Sequence, residues 1–155
     1  MRVLFVVQRY GVEVAGGAEQ SARLLATHLV EAGHEVHVLT SRAVSSLTWD
    51  NAYPPGSSEL DGVAVHRLAT AGPRDEELFD ELSRCVLWSG RPAAPVVQEA
   101  WLRAQGPVLP DLEPWLRERA ERFDAIDFFI YLFCPTWAGL AAVGSRLPTV
   151  LHAAP

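Results

Sequence analysis

Two adjacent glycines, Gly16-Gly17, stand directly ahead of a segment that takes up helical spacing from Ala18. The free N–H groups and positive dipole end of such a turn suit a phosphate group, and glycine lets the backbone approach it closely. The competing reading is a purely structural tight turn. Gly11, Gly16 and Gly17 do not fit the GxGxxG dinucleotide fingerprint, and the second strand pattern ends in Thr40-Ser41, with no acid to hold a ribose. A second candidate is His152, at the end of the last strand pattern, where an imidazole could orient a hydroxyl or act electrostatically beside a transferring group. A structural role competes there too. His28, His34, His37 and His66 fall inside helix or strand patterns and read as structural.

The third group is aromatic: Tyr10, Trp49, Tyr53, Tyr131 and Trp137. Sugars present apolar C–H faces that an aromatic ring can cover while its edge makes hydrogen bonds. Core packing is the alternative for each ring, and the better reading for Trp137. Trp49 sits between Thr48 and Asp50 in a polar stretch and divides evenly between the two. No paired carboxylates, Ser/His/Asp order, metal-ligand spacing or Walker loop is legible.

The elements that must position these residues follow from pattern. Arg2 to Val7 is a continuous β-branched and aromatic run, suited to a central parallel strand covered on both faces. The loop Gln8 to Gly17 leads into a helix with Ala18, Ala22, Leu25 and Leu29 on one face and Glu19 and Arg23 as an i,i+4 pair. Gly33 supplies a left-handed stop, and Glu35 to Thr40 is a second strand, which completes a βαβ unit. Arg42 to Leu60 has no sustained period and is too long for a mere connector, and long loops in compact domains tend to be functional or mobile. Asp61-Gly62 turns the chain into a third strand, Val63 to Leu68. Helices are expected from Asp75 to about Trp88, with Leu78, Phe79, Leu82 and Val86 inward, from Pro95 to Ala104, and from a cap at Asp111 to about Arg122. A buried strand over Ala125 to Phe133, a short helix over Thr136 to Gly144 and a last strand over Thr149 to His152 close the pattern. The fold class is therefore α/β, a Rossmann-like, doubly wound, mostly parallel sheet. Its ligands belong beyond the carboxyl ends of the strands.

Composition narrows the classes. At 155 residues, 49% apolar and 21% charged, the chain matches one ordinary globular domain. Its thirteen cations are all arginine, scattered along a chain of net charge −6, which disfavours nucleic acid as a partner. Cys85 and Cys134 lie far apart with no ligand spacing, so a metal site and a disulfide framework are not expected. Neither the opening run nor Phe128 to Cys134 approaches the roughly 20 residues of a bilayer span. A cytoplasmic, soluble protein is the expectation.

The run from Met1 to Ser41, with Gly16-Gly17-Ala18-Glu19 and Gly33-His34-Glu35-Val36, resembles the opening of family 4 glycosyltransferases of the GT-B fold. Thr48 to Gly56 and Leu60-Asp61-Gly62-Val63 resemble a bacterial subgroup of that family. The resemblance is strong over the first 68 residues and moderate from Ala125 onward; between them it rests mainly on helical pattern. It implies the N-terminal, acceptor-binding half of a retaining enzyme that needs no metal or other cofactor. The sugar donor is a nucleotide diphosphate sugar, held chiefly by a C-terminal domain expected beyond Pro155. Gly16 and Gly17 would approach the donor diphosphate. Tyr10, Arg42, Trp49 and Tyr131 would face a glycan, lipid-linked or small-molecule acceptor. His152 is carried over weakly as the family's histidine, whose equivalent otherwise lies beyond Pro155. Peripheral association of the whole enzyme with a membrane is compatible with this reading. A stand-alone flavodoxin-like module binding a phosphate-bearing ligand without catalysis is the first rival. An interaction domain with an apolar docking surface is the second.

Overall fold

The computed structural model describes residues 1–153. The elements run β1 (Arg2–Val6), α1 (Gly17–Glu31), β2 (Glu35–Ser41), β3 (Gly56–Leu60), β4 (Val63–Leu68), α2 (Glu76–Leu87), α3 (Pro95–Gln105), α4 (Leu112–Arg119), β5 (Ala125–Phe129), α5 (Cys134–Val143) and β6 (Thr149–His152). A single 3-10 turn, Ala120–Arg122, follows α4. The strands form one six-stranded sheet in the order β3-β4-β2-β1-β5-β6, parallel throughout except for β3 against β4. The domain is α/β and compatible with a Rossmann-like fold.

The apolar run of β1 explains its central place. Val3, Phe5 and Val7 point into one core, with Ala18, Ala22 and Ala26 of α1. Leu4 and Val6 point into the other, with Leu112 and Leu116 of α4 and Ala142 and Val143 of α5. A strand apolar on both faces is stable only with helices on both sides, and the small alanines let α1 pack close.

Several expectations change. The last residues of the Arg42 to Leu60 stretch form β3, joined to β4 by a two-residue hairpin at Asp61 (φ 52) and Gly62 (φ 77). Two successive left-handed residues match the right-handed twist of the flanking strands. β3 is an edge strand with four exposed residues, so it carries no apolar period. β5 stops at Phe129 instead of Phe133, because Ile130 takes the left-handed conformation (φ 64), and α5 starts at Cys134. Leu78 faces solvent, while Phe79, Leu82 and Val86 are half-buried. Asp75 caps α2 by accepting a hydrogen bond from Leu78 N at 3.0 Å, whereas the side chain of Asp111 makes no such bond to α4. The Glu19–Arg23 pair does not form: Glu19 is buried in the first turn of α1 and faces the preceding loop.

Candidate functional site

From β1 the chain winds outward to β2 and β4, then returns to the other side of β1 to form β5 and β6. The direction of winding reverses between β1 and β5, and in open α/β sheets the region beyond the strand ends at such a reversal is where a ligand crevice is expected. Loop 8–16 and the α1 N-terminus border it on one side. Ile130 to Phe133 border it on the other, with Tyr10, Ala18 and Ile130 in one apolar cluster and Leu132 and Phe133 packed against it.

Gly16 is the N-cap of α1, with φ 151 and no side-chain cap. Gly17 is exposed, and a β-carbon there would meet nothing within 4 Å. The 15-residue helix thus starts with no side chain bonded over it at the cap position, and Gly17 leaves the surface beside its own α-carbon clear. Gly16 differs: a β-carbon on it would run into the carboxylate of Glu19.

That carboxylate holds the loop. Arg9 Nη2 and Gln8 Nε2 donate to Glu19 Oε1 at 2.5 and 2.9 Å. Arg9 also donates to the carbonyls of Val44 (2.8 Å) and Ala15 (3.1 Å), which ties the loops after β1 and β2 together. Glu19 is 3% exposed, and its negative charge is compensated by the guanidinium and by its first-turn position in α1.

The acceptor-side candidates separate sharply. Tyr131 is 51% exposed, carried outward by the left-handed turn at Ile130 beside the crevice. Tyr10 is 2% exposed; it belongs to the α1 core, and burial pushes its hydroxyl up to about 12. It has no open ring face for a sugar. Trp49 is 1% exposed, which corrects its assignment to a sugar-stacking surface. Its Nε1 donates to Gln105 O at 3.0 Å, its edge meets Phe133, and Gly106 lies so close that a β-carbon would approach Nε1 to 2.9 Å. Trp49 therefore anchors the loop after β2 to the end of α3. Arg42 is likewise spent on its own loop, donating from Nε to Tyr53 O at 2.6 Å and from Nη2 to Asn51 O at 3.5 Å.

His152 is engaged by its neighbouring strand. Its ring stacks on Phe129 at 4.4 Å and Nε2 lies 3.2 Å from Asp127 Oδ2, two positions back along the neighbouring strand. Residues beyond Ala153, where the resemblance puts the alternative histidine and the second domain, lie outside the described residues.

A cavity of about 250 Å³ flanks loop 8–16, lined among others by Glu13, Tyr53, Ser57, Ser58 and Arg67. Arg67 stacks 4.2 Å over the Tyr53 ring and donates to Ser58 Oγ and Tyr10 O. The Tyr53 hydroxyl donates to Glu13, which lowers the carboxyl of Glu13 below its usual range, while burial and then Glu13 raise that of the phenol. The cavity offers hydroxyls, a carboxylate and a guanidinium, a set that can hydrogen-bond a polyhydroxylated molecule. Glu13 and Arg67 were not expected as site residues; only the position of Glu13 in the loop after β1 pointed to it. Across the molecule a wider cavity of about 410 Å³ lies between α2 and α3, with Arg74, Arg103 and Leu78 on its wall. Arg74 Nη2 donates to Ser46 O and Gln105 O, so this guanidinium also fastens loops.

Cys134 is buried, which pushes its thiol up to about 11, and Cys85 is exposed. Among the described residues no three His, Cys, Asp or Glu side chains are grouped to hold a metal ion, and no helix is long and apolar enough to cross a membrane. No protein-family model matches the chain, and no curated protein sequence matches it significantly.

Proposed function

We propose that the chain is the acceptor-binding half of a GT-B, doubly wound, retaining glycosyltransferase of family 4, completed by a C-terminal domain that binds a nucleotide diphosphate sugar. The observation that carries the reading is the Gly16-Gly17 turn at the winding reversal, with Gly17 open and α1 lacking a side-chain cap. Negative charge grows on the diphosphate as the glycosidic bond to it breaks, and helix amides with a positive dipole end stabilise that charge without a cation. Departure of the diphosphate leaves an oxocarbenium-like centre for the acceptor hydroxyl. The sequence motif Gly-Gly-x-Glu fits this arrangement: Glu19 fixes the loop, Gly16 makes room for its carboxylate, and Gly17 leaves the surface beside it bare.

The acceptor is assigned to the cavity beside loop 8–16, where Glu13, Tyr53 and Ser58 offer hydrogen bonds, with Tyr131 on the far rim of the crevice. Trp49, Tyr10 and Arg42 act on it only through the loops they hold. His152 has no direct role in this reading.

The test is sugar transfer by the protein expressed from its complete reading frame, over a panel of nucleotide sugars, with Gly17→Asp beside the parent. An aspartate at the first helical position favours the helix but opposes a diphosphate. Transfer reduced at least about tenfold, or 1.4 kcal/mol of barrier, with the melting temperature kept, supports the reading. Absence of binding and turnover with every nucleotide sugar would remove it and leave a non-catalytic phosphate-binding module.

A further inference from the structure

On the face of the sheet that α4 covers, four side chains form one hydrogen-bonded ladder across three strands. Glu35 Oε1 lies 2.7 Å from His37 Nε2, His37 Nδ1 lies 2.9 Å from His66 Nε2, and His66 Nδ1 lies 2.8 Å from Ser57 Oγ. Proton accounting sets each tautomer from the acid outward. A carboxylate only accepts, so Nε2 of His37 carries a proton, and Nδ1 of a neutral His37 accepts from His66 Nε2–H. Nδ1 of His66 is then an acceptor, and the Ser57 hydroxyl must donate to it.

Guanidinium groups surround the ladder. Arg2 stacks 5.4 Å over Phe123 and Arg119 stacks 5.5 Å over Trp115. With Arg122, His37, His66 and Ser57 they line a cavity of about 270 Å³ whose lining contains no acid, in a chain of net charge −6. The nearby carboxylates stand outside the lining: Glu35 lies 2.9 Å from Arg2 Nε and Glu118 lies 2.7 Å from Arg119 Nη1. Stacking holds two of the guanidinium planes in place before any ligand arrives, which lowers the ordering cost of binding. None of the lining residues belongs to loop 8–16 or α1.

We propose that this cavity binds a tetrahedral dianion of the phosphomonoester or sulfate class, and that binding protonates His66 and reverses the Ser57 hydrogen bond. In the empty site the imidazole of His66 is held below its usual range, chiefly by burial and then by its neighbours His37, Arg119 and Arg2. A bound dianion offsets those charges and favours the imidazolium. A solvent proton then occupies His66 Nδ1, which donates to Ser57 Oγ. The hydroxyl proton of Ser57 is thereby released to point at the anion. The charged groups around the two imidazoles are Arg2 from β1, Glu35 from β2, Arg119 from α4, which Glu118 pairs from outside the lining, and Arg122 from the turn after it; Ser57, Trp115 and Phe123 complete the surround without charge. Because the bound state holds one more proton than the free state, affinity rises as pH falls.

Sulfate tests this cleanly, since it stays a dianion across the working range. Binding is measured by titration calorimetry at about pH 6 and about pH 8 at fixed ionic strength, and should be at least about fivefold tighter at the lower pH. Arg122→Ala, at an exposed position, should weaken it at both. His66→Gln should remove the pH dependence, and Ser57→Ala should cost more affinity at about pH 6 than at about pH 8. Phenyl phosphate and vesicles of phosphatidic acid separate the two sources of such a group: a cavity of this size takes the free ester. Lack of saturable sulfate binding, equal affinity at both pH values, an unchanged pH dependence in His66→Gln, or binding to vesicles alone would each overturn the proposal. Nucleotide-sugar transfer plays no part in the readout, so its failure and this one are separate results.

Discussion

The carboxylate of Glu19 lies over Gly16 so closely that no β-carbon fits between them, while Gly17, one residue on, has open space at the same position. Two neighbouring glycines therefore do different work. Gly16 makes room for an internal ion pair and takes a φ of 151 that side chains avoid; Gly17 only leaves a surface clear. Gly16→Ala should cost about 1–3 kcal/mol in unfolding free energy, from the strained conformation and the displaced carboxylate. Gly17→Ala should stay within about 0.5 kcal/mol of the parent or exceed it, since alanine is the better helix former. Urea unfolding of the pair decides this, and equal losses would refute the division of roles.

The Arg9–Glu19 pair is the fastening of the crevice loop. Glu19→Ala strands a guanidinium that is 11% exposed, together with the Gln8 amide, and should destabilise by about 2–4 kcal/mol. Removing both charges with Arg9→Met and Glu19→Leu should recover part of that loss, because the buried charge disappears with its partner. A double-mutant cycle on the unfolding midpoint would show strict additivity if the pair carried no coupling.

Much of the fold was legible, and for definite reasons. The run Arg2 to Val7 is apolar at both parities, so it had to be central, and Asp61-Gly62 and Gly33 mark turns whose left-handed residues the structure contains. β3 escaped because an edge strand reading Gly-Ser-Ser-Glu-Leu buries almost nothing and leaves no period. The end of β5 escaped because nothing in Phe-Ile-Tyr announces a β-branched residue at φ 64. Site residues were harder. Glu19 has Arg23 as its helical neighbour, and only the folded loop brings Arg9 to it from ten residues away. His37 and His66 are 29 residues apart, and their meeting depends on the β2–β4 register, which a single sequence does not display. Trp49 was ambiguous since a polar neighbourhood in sequence became a buried one only when α3 closed over it.

Trp49 and Tyr131 make a matched pair of substitutions. Trp49→Ala removes a fully buried indole and its bond to Gln105 O, and should destabilise by about 3–5 kcal/mol. Tyr131→Ala, at a half-exposed position, should change stability by less than about 0.5 kcal/mol. If the proposed function holds and Tyr131 lies on the acceptor rim, its loss should raise KM for the acceptor while thermal unfolding stays put. A stability loss at Tyr131 equal to that at Trp49 would contradict the burial difference.

The His66 imidazole gives the chain a pH signature whose sign is fixed. Its folded-state value lies below the usual 6.5, principally because the ring is buried, so near that pH the unfolded chain binds more protons than the folded one. Stability is then fully present above about pH 6.5, falls as the pH drops through that value, and levels off below the folded-state value. Glu35, lowered chiefly by its bond to His37, acts in a separate and more acidic window, losing its contribution as the pH falls below its ordinary 4.5. Urea midpoints measured from about pH 8 to about pH 5 in a buffer free of divalent anions should therefore decline toward the acid end, and His66→Gln should flatten that decline. A steeper decline in the variant than in the parent would show that the proton sensitivity of this face belongs to some other group.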